Sequence, residues 1–337
     1  MYASVVTTIA DEPAARLQRM VDRVAAQTVG PLELLVAAPE RDRATVDSLR
    51  AHGAVASVAC VANPSGRRAP GLNQAVAAAA CEVVHRVDAR SLLAPSHVER
   101  CQKRLDVEPT IGVVGGRQHA VAVDGGVVAR GVARALTNPW ATGGASYRRP
   151  GAAGPVDTVY LGSFRRDELQ AIGGYDERLD ANEDFELCHR YRAQGQQVWL
   201  EDGLVVDYEA RTGFDDVWRQ YRAFGASKVR FWRARDETPN TRQLVGLVAP
   251  VLGVIGLGLA ARRGHGVAAV GLAAAGAFAL DHVAAEGDAS LDERCVAAAT
   301  SVIAPAAWAA GVYGEFFSRR RTRTAADAAP QANASPR

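Results

Sequence analysis

The chain has 337 residues, 48% of them hydrophobic, with 39 basic and 37 acidic residues for a formal net charge of +2. That length holds one large domain and an appendage, while interleaved charges without a Lys/Arg-rich motif argue against nucleic acid as a partner. The five scattered cysteines contain no C-x-x-C pair, which argues against a disulfide framework or a structural zinc site. Of the basic residues only Lys103 and Lys228 are lysine. The N-terminus has no basic n-region or cleavage site, so no secretory signal is expected and the polar part is expected to face the cytosol.

Ala3 to Ile9 is a β-rich apolar run, and Asp11-Glu12-Pro13 then opens a helix through Leu17, Met20, Val21 and Val24. A strand over 32–38, a short helix over about 44–51 and a strand over 57–62 complete two β-α-β units. Such alternation predicts a parallel sheet with helices on its faces, and ligands bind these sheets at the carboxyl ends of the strands. The loop 63–73 carries Arg67 and Arg68 and leads into an Ala-rich helix from Asn73 to Ala80. A glycine-containing loop with two arginines beside a helix start suits a pyrophosphate, although solvated surface arginines explain the pair as well. A strand over 82–88 ends in Asp88-Ala89-Arg90. Further on come an apolar run from Ile111 to Gly116, an Asp124-Gly125 hairpin signal after Val121-Ala122-Val123, and a loop from Gly143-Gly144 to Pro150.

Residues 182–195 predict a helix opened by Asn182-Glu183-Asp184. Asn182 suits the N-cap, the macrodipole favours both acids in ionised form, and Gly195 is a natural stop. Phe185, Cys188 and Tyr191 recur at helical spacing, and burying that face fixes the direction of Asp184. The Gly173-Gly174 turn upstream places the acids at a loop-to-helix junction that a small substrate can reach. Taken in isolation, the pair is better explained as acids that merely satisfy a helix end. A strand over 198–208 follows. The stretch 215–235 reads as an amphipathic helix with Trp218, Tyr221, Phe224, Phe231 and Trp232 among basic residues, fit either for a membrane interface or for core packing.

Three uncharged stretches, 244–261, 267–280 and 296–312, are candidate membrane segments. Pro250 inside the first suggests a re-entrant hairpin, which leaves two full spans and keeps the basic tail in the cytosol. The chain after Arg323 is expected to be disordered. The division expected is 1–213 for the polar domain, 214–243 for an interfacial helix and linker, 244–317 for two or three membrane segments and 318–337 for a basic tail.

The runs V-D-T-V-x-L-G-x-F-R-R from Val156, I-G-G-Y-D-E-R-L from Ile172 and N-E-D-F-E-L-x-x-R-x-R-x-x-G from Asn182 resemble the catalytic half of family 2 glycosyltransferases. The resemblance is strongest to bacterial exopolysaccharide enzymes of the succinoglycan type. It covers about residues 3–235 and implies an α/β GT-A (Rossmann-like) nucleotide-sugar transferase domain with C-terminal transmembrane helices. It also implies that Asp184, beside Glu183, is the general base. The family's G-K-x-x-A-L-N and D-x-D motifs fall on G-R-R-A-P-G-L-N and V-H-R-V-D-A-R. Arg67, Arg68, Asn73, Arg86 and Asp88 are thereby implied on the donor side with Thr8, Asp11 and Glu12, and Asp88 as ligand to Mg2+ or Mn2+. Gly143, Gly144, Asp157 and Gln220 are implied on the acceptor side.

Three positions depart from the pattern. Arg90 stands at the second Asp of D-x-D, and Ala38 at the Asp that usually contacts the base, for which Asp11, Glu12 and Asp42 are substitutes. The processive Q-x-x-R-W keeps Gln220 but loses the R-W pair, which implies one sugar added per encounter. The reading is a membrane-anchored inverting glycosyltransferase of the cytoplasmic membrane, active in cell-surface or exopolysaccharide synthesis. Its donor is a nucleotide-sugar, UDP-sugars first, and its acceptor is lipid-linked or polysaccharide. The alternative is a relative that binds a sugar nucleotide or glycan without transfer.

Overall fold

Leu34 and Val36 turn to one face of a central sheet and Leu35 and Ala37 to the other, and all four are buried. A strand buried on both faces reads as a continuous apolar run, because helices cover the sheet above and below. The computed structural model describes residues 2–123, 125–284 and 288–327. The first half alternates: β1 Ala3–Thr8, α1 Ala14–Ala25, β2 Leu32–Ala38, α2 Arg43–Asp47, β3 Val55–Ala62, α3 Arg68–Ala78 and β4 Val83–Arg86. There follow β5 Ser91–Leu92, α4 His97–Val107, β6 Ile111–Val121, α5 Val127–Thr137, α6 Pro139–Thr142, β7 Gly154–Pro155 and β8 Tyr160–Arg165. The chain ends with α7 Arg166–Ala171, α8 Glu183–Ala193, β9 Gln197–Glu209, α9 Phe214–Arg235, α10 Thr241–Arg262, α11 Gly266–Ala284 and α12 Leu291–Asp327.

The strands order as β3-β2-β1-β4-β8-β6-β9-β5, with β7 on β9. β1, β2, β3 and β4 run parallel, β8 is antiparallel to β4 and β6, and β9 is parallel to β6. This is a GT-A-like mixed sheet with helices on both faces, as the resemblance implies, while the antiparallel β5, β7 and β8 depart from the parallel sheet that the alternation of elements predicts. Leu17, Met20, Val21 and Val24 of α1 join one core, and Leu72 of α3 with Leu187, Cys188 and Tyr191 of α8 join the other. Each fully buried side chain of this kind contributes roughly 1.5–3 kcal/mol.

Several expectations change. The Asp124-Gly125 hairpin does not form: Asp124 lies outside the described residues, and the chain beyond it enters α5 rather than a return strand. Asn73 lies inside α3, which begins at Arg68. Pro250 does not break the first apolar stretch, since α10 is one continuous helix of 22 residues with a capping box at Asn240. No α10 side chain is buried, and at 1.5 Å per residue the helix spans about 33 Å, enough for a bilayer core. By length and composition α10 and Leu291–Ser318 of α12 are the two candidate membrane spans, with α11 shorter. The helix α12 continues to Asp327, past the point where disorder was expected, and residues 328–337 lie outside the described residues.

The aromatic residues of α9 are mostly engaged within the protein. Tyr221, Phe231 and Trp232 are buried, and Trp232 meets Trp308 of α12 edge-on with centroids 6.5 Å apart. Two glycines allow the close crossing: a Cβ on Gly225 would lie 2.0 Å from the Trp308 carbonyl oxygen, and one on Gly311 would lie 2.0 Å from that of Arg222. On its other side α12 approaches α5 at Gly131, where a Cβ would meet Val296 at 2.4 Å. Asp281 of α11, fully buried, pairs with Arg134 of α5 at 3.0 Å and Arg294 of α12 at 3.6 Å. The amphipathic pattern of α9 is therefore answered by α12.

Candidate active site

A cleft of about 660 Å³ opens where β1 and β4 end, bounded by α8, α9 and the segment around α6. Its centre is a lattice of charges. Arg86, 4% exposed, donates from Nη2 to Oε1 of Glu183 at 2.9 Å and from Nε to Oδ1 of Asp88 at 3.0 Å. Arg68, at the first turn of α3, donates to Oδ2 of Asp88 at 3.0 Å and lies 3.8 Å from Glu183. Burial opposes the Asp88 charge, but Arg86 and Arg68 outweigh it and hold the carboxyl below its usual range. Burial likewise disfavours the Arg86 charge, and Asp88 and Glu183 reverse the sign, so its proton is held more tightly than usual.

Asp184 lies beside this lattice and differs from its neighbour. It lines the cleft and has no ion pair closer than 4 Å among the described residues, and its Oδ1 accepts from the Phe185 amide at 2.7 Å. Burial first, then the charge of Glu183, raises its pKa, and Arg86 with the Phe185 amide offsets only part of that. The expectation that both acids are favoured in ionised form is corrected for Asp184, whose proton affinity is raised, while Glu183 is the buried counter-charge of Arg86. Asn182 does not cap the helix with its side chain. It sits in the left-handed region at φ 61, which Asn tolerates, and donates to the Phe224 carbonyl of α9 at 3.1 Å.

The other predicted residues divide. Thr8, Glu12, Gly143, Asp157 and Gln220 line the cleft, and Gln220 donates to the Tyr208 hydroxyl at 3.1 Å. Arg67 does not line it: its guanidinium reaches Asp180 at 3.0 Å and the Glu177 carbonyl at 2.7 Å, tying two loops together. Asn73 holds the Gly173-Gly174 turn, donating to the Tyr175 carbonyl at 3.0 Å and accepting from the Tyr175 amide at 2.8 Å. Gly174 is required there, since its φ is +64 and a Cβ would lie 2.6 Å from Asn73 Oδ1. Asp11, exposed and clamped by Arg41 at 2.9 and 3.0 Å, also stays outside the cleft, with its amide on Asp42 at 3.0 Å. Gly144 offers its carbonyl to Arg149 and Arg242, both at 2.8 Å.

Residues that sequence reasoning passed over complete the walls. Tyr147, Tyr160 and Tyr208 form a run of rings at 6.4 and 6.2 Å. Lys228, 7% exposed, sits with Nζ 3.1 Å from the Phe185 ring centroid. Burial drives its pKa down to about 7 against the pull of Asp157 and Asp184. Being one of two lysines in an arginine-rich chain was the available signal. Arg242, Gln243 and Gly246 of α10 and Trp308 of α12 also line the cleft, so the apolar C-terminal helices contribute to its wall.

Among the described residues no three His, Cys, Asp or Glu side chains gather as a metal site. Asp88 is one of several cleft carboxylates and is engaged by Arg68 and Arg86, both at 3.0 Å; a single carboxylate with substrate phosphates is a common way to hold Mg2+.

Residues 2–226 match the family described as glycosyltransferase like family 2. The chain is 26% identical over 262 residues to the succinoglycan biosynthesis protein ExoA of Rhizobium meliloti (strain 1021), covering 77% of this chain and 78% of that protein. Among solved structures it is similar to the mannosyltransferase PcManGT of Pyrobaculum calidifontis, determined with GDP-Man and Mn2+. The TM-score is 0.61 at 19% identity, over 94% of this chain and 87% of the other, which is a likeness of fold.

Proposed function

The chain belongs to glycosyltransferase family 2, and from that premise we propose that it is a membrane-anchored inverting transferase. It would move a sugar from a nucleoside-diphosphate sugar to a lipid-linked or polysaccharide acceptor in exopolysaccharide or cell-surface synthesis. One observation carries the reading: Asp184, with raised proton affinity, shares a cleft with the Arg68–Asp88–Arg86 lattice. A carboxylate with enhanced basicity suits a general base, and preorganised guanidinium groups suit a diphosphate leaving group.

In this mechanism the acceptor hydroxyl gives its proton to Asp184 as its oxygen attacks the anomeric carbon from the face opposite the diphosphate. The bond from that carbon to the diphosphate oxygen breaks with its electron pair leaving on the nucleoside diphosphate, and configuration inverts in a single displacement. Arg68 and Arg86 offset the charge that develops on the leaving group. Glu183 keeps Arg86 aimed at Asp88. Mg2+ or Mn2+ would be held by Asp88 together with the donor's own phosphates, supplying further neutralisation of the leaving group. The candidate span α10 anchors the domain in the cytoplasmic membrane with the cleft towards the cytosol, and its lack of buried side chains supports this.

The test is release of nucleoside diphosphate by detergent-purified protein, screened over UDP-, GDP- and dTDP-sugars with Mg2+ or Mn2+ and a lipid extract, beside Asp184→Asn. Release of one nucleotide that vanishes in the variant is the expected result. Donor binding without release under any of these conditions would overturn transfer.

A further inference from the structure

Among the described residues, three guanidinium groups of the cleft have no carboxylate of their own. The carbonyl of Arg90 accepts from the Glu209 amide at 2.8 Å, which fastens Arg90 beside the end of β9, and Arg211 follows two residues later. The Nε atoms of both are buried without a hydrogen-bond partner. The acids nearby are already engaged: Glu12 by Arg16, and Glu209 by Arg16 at 3.1 Å and Arg19 at 2.9 Å. Arg148 lies among Tyr147, Tyr208 and Tyr221, and no ion pair of Arg148 occurs among the described residues. Tyr208 neighbours both Arg90 and Arg148, so the three groups belong to one end of the cleft.

Like charges half removed from water are costly unless an anion answers them. Guanidinium forks match phosphate oxygens in geometry and in charge. The cleft wall also runs onto α10 through Gln243 and Gly246, beside which Leu244, Val245 and Val248 are exposed as a path for an alkyl chain. We propose that Arg90, Arg148 and Arg211 form a phosphate subsite separate from the Arg68–Asp88–Arg86 lattice, and that it holds the phosphate of a lipid-linked acceptor. The proposal rests on the acceptor reading above and names the group recognised.

Binding to the full chain in detergent tests it without turnover, so failure of this subsite and failure of transfer are read separately. The probes are citronellyl phosphate, citronellol, inorganic phosphate and UDP or GDP, on wild type, Arg90→Gln, Arg148→Gln and Arg211→Gln, with thermal midpoints as the folding control. Citronellyl phosphate is expected to bind at least tenfold more tightly than citronellol, and each variant to weaken it roughly tenfold, the loss typical of a charge-assisted hydrogen bond. Citronellol and the nucleoside diphosphate should be unaffected. Equal binding of alcohol and phosphate, or variants that bind citronellyl phosphate as wild type does, would overturn the subsite. Variants that weaken UDP or GDP instead would assign the arginines to the donor. Inorganic phosphate bound as tightly as citronellyl phosphate would make free phosphate the occupant and overturn the lipid assignment.

Discussion

Neutralising Glu183 and neutralising Asp184 are expected to act in opposite directions, although the two residues are adjacent and chemically alike. The Glu183 and Arg86 side chains are each 4% exposed and 2.9 Å apart, so Glu183→Gln leaves a buried guanidinium short of one counter-charge. Removing one partner of a buried pair costs about 3–5 kcal/mol. Asp88 still holds Arg86 at 3.0 Å and glutamine keeps an acceptor oxygen, so about 2–3 kcal/mol is the expected loss. For a domain of this size that lowers the thermal midpoint by roughly 4–12 °C. Asp184→Asn removes a carboxylate whose ionisation the fold opposes, so its midpoint should equal or exceed that of wild type. Transfer should fall by roughly 10²–10⁴ in Asp184→Asn, the usual contribution of a general base. Differential scanning fluorimetry in detergent beside the nucleoside-diphosphate release assay reads both quantities. A Glu183→Gln protein that melts with wild type, together with an Asp184→Asn protein that melts early, would refute the assignment of roles.

Three further outcomes are expected. His85 and His97 are fully buried with pKa values lowered to about 3 and about 4 by burial, so below about pH 6.5 the denatured chain takes up protons that the native one does not. Stability should then fall steadily from about pH 6.5 towards pH 4, by about 2 kcal/mol per histidine at pH 5. Urea midpoints at pH 7.5 and 5 check this, and His97→Leu should flatten part of the slope. The depressed pKa of Lys228 means that the unfolded lysine carries a proton between about pH 7 and 10.5 that the native one lacks. Lys228→Met should therefore raise the thermal midpoint at pH 7, and the inflection near pH 7 expected in the wild-type kcat/KM profile should disappear. Gly225→Ala would drive a methyl into the Trp308 carbonyl and should cost 1–3 kcal/mol or more, with α12 opened to proteolysis, whereas Gly253→Ala on α10, with nothing within 4 Å, should not.

The strands β1 to β4 were legible because an apolar run bounded by turn residues signals a strand sandwiched between helices, and α8 was legible through the spacing of Phe185, Cys188 and Tyr191. The helix α5 was not, since its Val-, Ala- and Gly-rich sequence fits strand and helix alike. The face of α9 was left open for a different reason: an aromatic stripe records that something apolar covers it, and lipid and α12 leave the same pattern. Adjacent acids posed the same difficulty. That Glu183 and not Asp184 answers Arg86 is set by a residue 97 positions away. Arg67 and Asn73 matched a motif and in the structure bond to the loops around Gly173-Gly174 and Asp180, because a motif fixes identity and spacing while the surrounding turns decide where the side chains bond.

The glycine-to-backbone crossing of α9 and α12 bears on reach. An enzyme on a flexible tether sweeps a volume set by its linker, but here residues 236–240 alone join α9 to α10, and α12 locks the same α9 to the helical pair. With α10 in the bilayer the cleft would keep one altitude and one tilt, and for a lipid-linked acceptor the search would become a two-dimensional encounter in the membrane plane. A hydroxyl lifted too far from the lipid by intervening sugars would pass above the cleft. The anchor would then act as a ruler, selecting the stage of chain growth at which this sugar is added.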